Sequence, residues 1–244
     1  MRLPDVLRGD MGVIAQLLRG MPQHADHAQR LSTFYAPQAA QYDRFRERLL
    51  RGRAEMIAQL PLFSGARVVE LGAGTGRNVD FFGTAVERIG SIQLVDLCEP
   101  LLVQARERAS RQAKIQVICA DATTWRPGQA VDCVYLSYSL SMIPDWRRAI
   151  RNALSMLKPG GVLGVVDFYI SARRALPGCV QHGAVTRSFW PRWFRHDGVR
   201  LDPEQLLTLR EQLPDHELVE CRGAVPYLPL LRVPYFTFVG RKPR

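Results

Sequence analysis

An apolar run from Val68 to Leu71 carries one acid, Glu70, and breaks at once into alternating glycines at Gly72, Gly74 and Gly76, so that it reads E-x-G-x-G-x-G. A buried strand opening into a turn without side chains leaves bare backbone at the carboxyl end of a sheet, where doubly wound folds take their ligands. The third glycine of a dinucleotide fingerprint would fall at position 77, which is Arg77, and no Gly-Lys-Ser/Thr follows for a phosphate loop. An acid ahead of the glycines would also repel a pyrophosphate. Asp96 ends the next apolar run, twenty residues after Gly76, where folds of this kind hold ribose hydroxyls. Asp121 and Ala122 end the run after that, offering a carboxylate and a backbone amide.

Such residues need strands and helices in alternation to bring them to one edge. "ARVVELG", "SIQLVD", "IQVICAD", "VDCVYLS" and "GVLGVVDF" read as five strands, with helices over about 99–111 and 145–157 and "LKPGG" as the tight turn opening the fifth strand. The stretch from Tyr169 to Leu201 is aromatic, basic and aperiodic, which marks a functional insertion. A helix capped in the D-x-x-Q manner follows from Asp202, then strands at about 216–224 and 233–240. Residues 37–60 read as one charged helix entered at Pro37. Within the first 22 residues, Val6, Leu7, Met11, Ile14, Leu17, Leu18 and Met21 recur at helical spacing, either a helix packed on the domain or a lid lying on lipid. The expected fold is α/β and Rossmann-like: a seven-stranded, mostly parallel sheet with helices on both faces and an N-terminal helical cap over 1–62. The domain proper covers 63–244, with 169–201 inserted.

With 244 residues and 47% hydrophobic content, the chain can form one large domain with attachments. Its formal charge of +10 invites nucleic acid, an anionic membrane surface or an acidic substrate. All but three of the 33 basic residues are arginine, whose flat fork suits phosphate and carboxylate. Charges interrupt the N-terminal segment and no run of eighteen apolar residues occurs, so a cytoplasmic location is expected. The five cysteines are odd in number, scattered and never C-x-x-C, and are expected as free thiols that mostly fill core.

E-x-G-x-G-x-G at Glu70, with both strand-end acids in register and "LKPGG" before the fifth strand, resembles the class I S-adenosylmethionine-dependent methyltransferases. The resemblance implies S-adenosyl-L-methionine as cofactor, whose ammonium and carboxylate replace a pyrophosphate. It assigns Glu70, Gly72, Ala73 and Gly74 to the first motif, Asp96 to the ribose, Asp121 to the exocyclic amine and the Ala122 amide to a ring nitrogen. Leu97 and Ser137 complete this cofactor set. "YDRFRERLLRGR" resembles the cap helix of bacterial phospholipid N-methyltransferases, implying that Tyr42 covers the cofactor and Arg53 offers its fork to the cofactor carboxylate.

For the acceptor, the segment after the fourth strand, "LSYSLSMIPDW", lacks the Asn/Asp-Pro-Pro-aromatic signature of base-amine methylation and a cysteine nucleophile for base-carbon methylation. Nucleic acid is therefore not the expected partner. Clustered carboxylates for a metal are also missing, and no metal is expected. Tyr138, with Tyr35 and Tyr42 from the cap and Tyr169, Trp190 and Trp193 from the insertion, offers aromatic faces for a quaternary ammonium product. His182 and His196 lie in the insertion, and His182 is the candidate proton acceptor. From about His27 onward, "FYAPQAAQYDRFRERLLRGR", "VDLCEPLL", "LSYSLSMIPDW", "FWPRWFRHDGVRL" and "VPYLPLLRVPYFTFVG" look like the bacterial S-adenosylmethionine:diacylglycerylhomoserine N-methyltransferases of betaine lipid (DGTS) synthesis. That resemblance implies three methylations of one lipid amine at the inner face of the cytoplasmic membrane. It also implies an anionic membrane surface and coupling to the enzyme that makes diacylglycerylhomoserine. Tyr35, Tyr138 and His182 are then the acceptor-side candidates. Another phospholipid headgroup or a soluble amine stays open as acceptor, and a nucleic-acid methyltransferase less so.

Overall fold

The computed structural model describes residues 20–22, 26–37, 42–175, 177–226 and 228–244. Apart from its last three residues, the amphipathic N-terminal segment lies outside these. Seven strands form one sheet: β1 (Arg67–Leu71), β2 (Ser91–Asp96), β3 (Ile115–Cys119), β4 (Val131–Ser137), β5 (Leu157–Phe168), β6 (His216–Val225) and β7 (Leu228–Arg241). Their order is β3-β2-β1-β4-β5-β7-β6, with β7 antiparallel to both its neighbours and the other pairings parallel. The order reverses between β1 and β4, which opens a crevice at their carboxyl ends.

Pleating sends alternate residues to opposite faces, and both faces are covered. Val68, Ile92, Leu94 and Tyr135 face one layer, where α3 (Arg53–Ala58) contributes Met56 and Ile57 and, after the short α4 (Ala85–Arg88), α5 (Glu99–Ala109) contributes Leu102 and Ala105. Val69, Leu71, Val95 and Leu136 face the other, under α6 (Trp146–Met156) and α8 (Glu204–Gln212). In α6, Trp146, Ala149, Ile150, Ala153 and Met156 are buried at helical spacing, and the Asp145 carboxylate caps the helix by accepting from the Arg148 amide. The "LKPGG" turn loops out of the β4–β5 ladder, where the register jumps from Val131↔Leu157 to Cys133↔Val162.

Several details depart from expectation. The 37–60 helix is two, α2 (Tyr42–Leu49) and α3, broken at Gly52, whose φ is +79°. A Cβ there would lie 2.6 Å from the Tyr235 ring, so the close passage over β7 sets the break. Within the aperiodic 169–201 stretch lies a helix of twelve residues, α7 (Ala184–Arg195). Its aromatics occupy both its buried and exposed sides and Pro191 sits inside it, which together erase a helical period from the sequence. Only half of the D-x-x-Q cap forms: Asp202 accepts from the Glu204 amide, while the Gln205 side chain is buried and donates to Leu140 O. All five cysteines are free, but only Cys98 and Cys133 are buried, so core filling accounts for two of them.

Candidate functional site

At the switch point lies a pocket of about 270 Å³. Its floor is the turn after β1, which continues into a 3₁₀ turn over Arg77–Phe82, and Gly72, Gly74 and Gly76 all have left-handed φ (+76°, +54°, +69°). The loop after β4 comes so close that a Cβ on Gly72 would sit 2.2 Å from Ser139 Cβ. Asp96, at the end of β2, holds the turn from the side. One of its oxygens accepts from the Gly74 amide (2.8 Å) and the other from the Cys98 amide (2.7 Å). Burial raises its pKa, and these amide hydrogen bonds oppose the rise.

The cap closes the pocket from above. Asp43 on α2 accepts from Thr75 Oγ1 (2.6 Å) and pairs with Arg108 (2.6 Å), while Arg108 also donates to Thr75 O (2.8 Å), so the cap is fastened to the glycine turn. From α1 (His27–Tyr35), Tyr35 donates to Met142 Sδ (3.1 Å) and carries the Arg46 guanidinium 5.9 Å from its ring centroid. Tyr138 is a non-glycine residue at φ +52°, a costly conformation at the end of β4 that turns its ring out of the sheet. Its hydroxyl donates to Arg51 O (2.6 Å) and its ring packs on Phe168 at 4.6 Å.

Of the residues named from sequence, Arg53, Gly72, Ala73, Gly74, Asp96 and Leu97 line the pocket. So do Asp121, Ala122, Ser137, Tyr35 and Tyr138. The Tyr42 side chain lies outside the described residues. Glu70 is not in the wall. It is wholly buried behind the glycine turn, accepting from Asn78 Nδ2 and from Tyr135 OH (2.7 Å), and Asn78 in turn accepts from Arg53 (3.3 Å). The acid thus acts on the pocket through Asn78, which positions Arg53, and through its charge on Arg53 itself.

His182 is also elsewhere. Its Nδ1 accepts from the Ser171 amide (2.9 Å), its ring lies 5.0 Å from Tyr169, burial lowers its pKa, and it is not among the residues that line the pocket. Tyr169 is turned to Glu220, Trp190 is buried behind the wall and Trp193 is exposed. Among the described residues the histidine that lines the pocket is His27, whose pKa burial and Arg30 lower. Sequence reading missed it along with Arg46, Asn78 and Met142. For Asn78 a signal existed, since it follows the glycine turn by two residues.

Glu70 yields a pH prediction. Burial raises its pKa from 4.5 to about 7, so the folded chain binds a proton that the unfolded chain releases. The contribution of Glu70 to stability should be greatest below about 4.5, fall through the window up to about 7 and then level off, a loss on the order of 3 kcal/mol. Glu70→Gln carries no such proton, and its denaturant midpoints should vary less with pH across that window. Asp167, raised to about 6 by burial, leaves a residual slope of the same sign. Parallel curves for the two proteins would show that Glu70 does not titrate there.

The pocket fits a ligand that joins a nucleoside to a zwitterionic amino acid. Bare backbone lies at Gly74, where an added Cβ would meet only Leu101 Cδ1 at 3.7 Å, carboxylates stand at two successive strand ends, and the buried Ser137 Oγ has no hydrogen-bond partner among the described residues. Residues 68–161 match the family described as "Methyltransferase domain". A trans-aconitate 2-methyltransferase of Variovorax paradoxus is 35% identical over 129 residues, 52% of this chain and 48% of that protein. The chain therefore spans about half the length of the curated relatives it matches. In fold it is similar to the N-methyltransferase NodS of Bradyrhizobium japonicum in complex with S-adenosyl-L-homocysteine (TM-score 0.65, 18% identity, 89% of this chain and 99% of that one). It is also similar to phosphoethanolamine N-methyltransferase 2 of Haemonchus contortus (TM-score 0.69, 16% identity, 91% of this chain and 61% of that one). Residues 68–161 thus match a methyltransferase domain, and the sheet order is that of the Rossmann-like fold of these structural neighbours.

Proposed function

We propose that this chain N-methylates the amine of a zwitterionic lipid headgroup, diacylglycerylhomoserine, three times in succession to give its trimethyl betaine lipid. The observation carrying this reading is the pocket as a whole, where Tyr35 and Tyr138 stand in a wall whose formal charges, cofactor and acceptor sides together, cancel. Arg46, Arg53, Arg77 and Arg148 line it. Asp43, Asp96, Asp121 and Asp145 line it as well. A balanced wall suits a headgroup bearing one ammonium and one carboxylate. The NodS and phosphoethanolamine enzymes, similar in fold, are named N-methyltransferases, which agrees with an amine acceptor.

S-adenosylmethionine supplies an electrophilic methyl on a sulfonium when bound. On this reading Asp96 holds the ribose, Asp121 and the Ala122 amide the adenine, and Arg53 with the glycine turn the methionine end. The cap excludes water and aligns the amine. Tyr138 presents a ring to a nitrogen that loses its donor protons with each methyl gained.

A second reading is methylation of a small carboxylate, supported by relatives named trans-aconitate 2-methyltransferase. A trianion would need more positive charge than this wall carries.

Cells lacking betaine lipid, expressing this chain with and without the enzyme that makes diacylglycerylhomoserine, separate the two. The trimethyl lipid should appear only when both are present. Its absence, together with methylation of trans-aconitate by the purified chain, would overturn the lipid reading. In the same cells Tyr138→Ala should accumulate mono- and dimethyl lipid, since one lost cation–π contact of about 0.5–2 kcal/mol slows the last transfer roughly 2- to 30-fold. An unchanged product pattern would remove Tyr138 from acceptor binding.

A further inference from the structure

Residues 169–196 contain five arginines and no aspartate or glutamate. Helix α7 lies within them and divides its large side chains. Trp190 and Phe194 are buried, while Val185, Phe189 and Trp193 follow one another at four-residue steps and are 81%, 37% and 45% exposed. A scattered apolar residue is ordinary on a protein surface, but a line of three along one helix marks a contact surface. The rings of Phe189 and Trp193 lie 5.5 Å apart, so the line is continuous at that end. Arg192 and Arg195 are exposed on the same helix, and Arg173 and Arg174 are exposed on the loop before it.

The buried side of α7 leads inward. Phe194 stacks on Phe168 at 4.7 Å and Phe168 packs on Tyr138, which lines the pocket. Just past the helix, the Arg200 amide donates to Ser141 O (2.7 Å), in the loop that carries Met142. The exposed stripe and the acceptor side of the pocket are thus two faces of one packed unit.

We propose that α7 docks on an anionic lipid surface. Val185, Phe189 and Trp193 enter the interfacial layer, and Arg173, Arg174, Arg192 and Arg195 meet the headgroup phosphates. The charge of this region selects an anionic bilayer as the occupant, and tryptophan beside arginine is the side-chain pairing that favours the interface. Among the described residues no helix is long and apolar enough to cross a membrane, so the helix lies on the surface. The proposal deepens the lipid-acceptor reading by naming the surface that meets the acceptor's membrane, but its test needs neither cofactor nor acceptor.

The full chain is floated with vesicles of phosphatidylcholine alone and with vesicles containing phosphatidylglycerol. The comparison proteins are Val185→Ser/Phe189→Ser/Trp193→Ser and Arg192→Glu/Arg195→Glu, each checked by circular dichroism and by S-adenosylhomocysteine binding. The unaltered chain should float with the anionic vesicles only, and raised salt should weaken it. Both variants should partition at least about tenfold less. Flotation of the triple variant equal to that of the unaltered chain would overturn the proposal and assign lipid binding elsewhere, residues 1–22 included. Failure of the unaltered chain to float would overturn it too, as would a stripe whose loss changes only the molecular mass in light scattering, the sign that a second copy covers it. An unaltered chain that floats through this stripe yet forms no trimethyl lipid in the two-enzyme cells would instead count against the lipid-acceptor reading alone.

Discussion

Gly72→Val should abolish S-adenosylmethionine binding while leaving the sheet folded. The residue adopts φ +76°, where a β-branched side chain is strained, and its Cβ would lie 2.2 Å from Ser139 Cβ and 2.7 Å from Ser139 Oγ. Ser139 has little room to retreat, because its hydroxyl donates to Leu71 O at 2.8 Å, so the two loops of the switch point must part. Titration calorimetry should show affinity down by at least about a hundredfold, an amount set by backbone strain plus a displaced loop. Gly74→Ala is the instructive control. Its φ is +54°, yet the nearest atom to an added Cβ is Leu101 Cδ1 at 3.7 Å, so only backbone strain of about 1 kcal/mol opposes it within the protein. Should Gly74→Ala prove as damaging as Gly72→Val, the ligand itself approaches residue 74. Normal affinity in Gly72→Val would show that the turn is not the cofactor site.

Asp96→Ala is expected to have the next largest effect, because the carboxylate has two tasks. It accepts from the Gly74 and Cys98 amides, shaping the glycine turn and the start of α5, and it lines the pocket where a ribose is proposed to lie. Removing it leaves two amides without their acceptor and deletes a charge-assisted bond to ligand, together about 2–4 kcal/mol, or roughly 30- to 1,000-fold in affinity. Asp96→Asn keeps one acceptor oxygen and should fall between. Calorimetric titration with the cofactor measures both, and unchanged affinity in Asp96→Ala would end the assignment.

The parallel part of the fold was legible in the sequence because its strands are short and apolar, β1, β4 and β5 being buried on both faces and the edge strand β3 only in part. Such strands appear as short apolar runs, and the residues that end them, Gly72, Asp96, Asp121 and Ser137, stand at the ligand edge by topology alone. Helix α6 was legible for a similar reason, its one apolar face and its Asp145 cap being local properties. The cofactor side of the pocket therefore needed only strand ends and one turn.

What the tertiary structure alone decided are the contacts between segments far apart in the chain. Glu70 carries the motif's charge, yet its direction depends on Asn78 and Tyr135, which turn it away from the pocket and toward Arg53. His182 and His27 are both histidines in polar, loop-adjacent sequence. Packing against Tyr169 and the Ser171 amide removes the first from the pocket, while packing of Leu31 and Phe34 of α1 with Cys98 and Leu101 brings the second to it. Aromatic residues distributed around α7 hid its helical period, and only burial separates Trp190 and Phe194, which support the pocket wall, from Phe189 and Trp193, which face outward. Periodicity and spacing describe what a residue's own segment can do. Which way a side chain turns is set by the free energy of burying it against a partner that the local sequence does not contain.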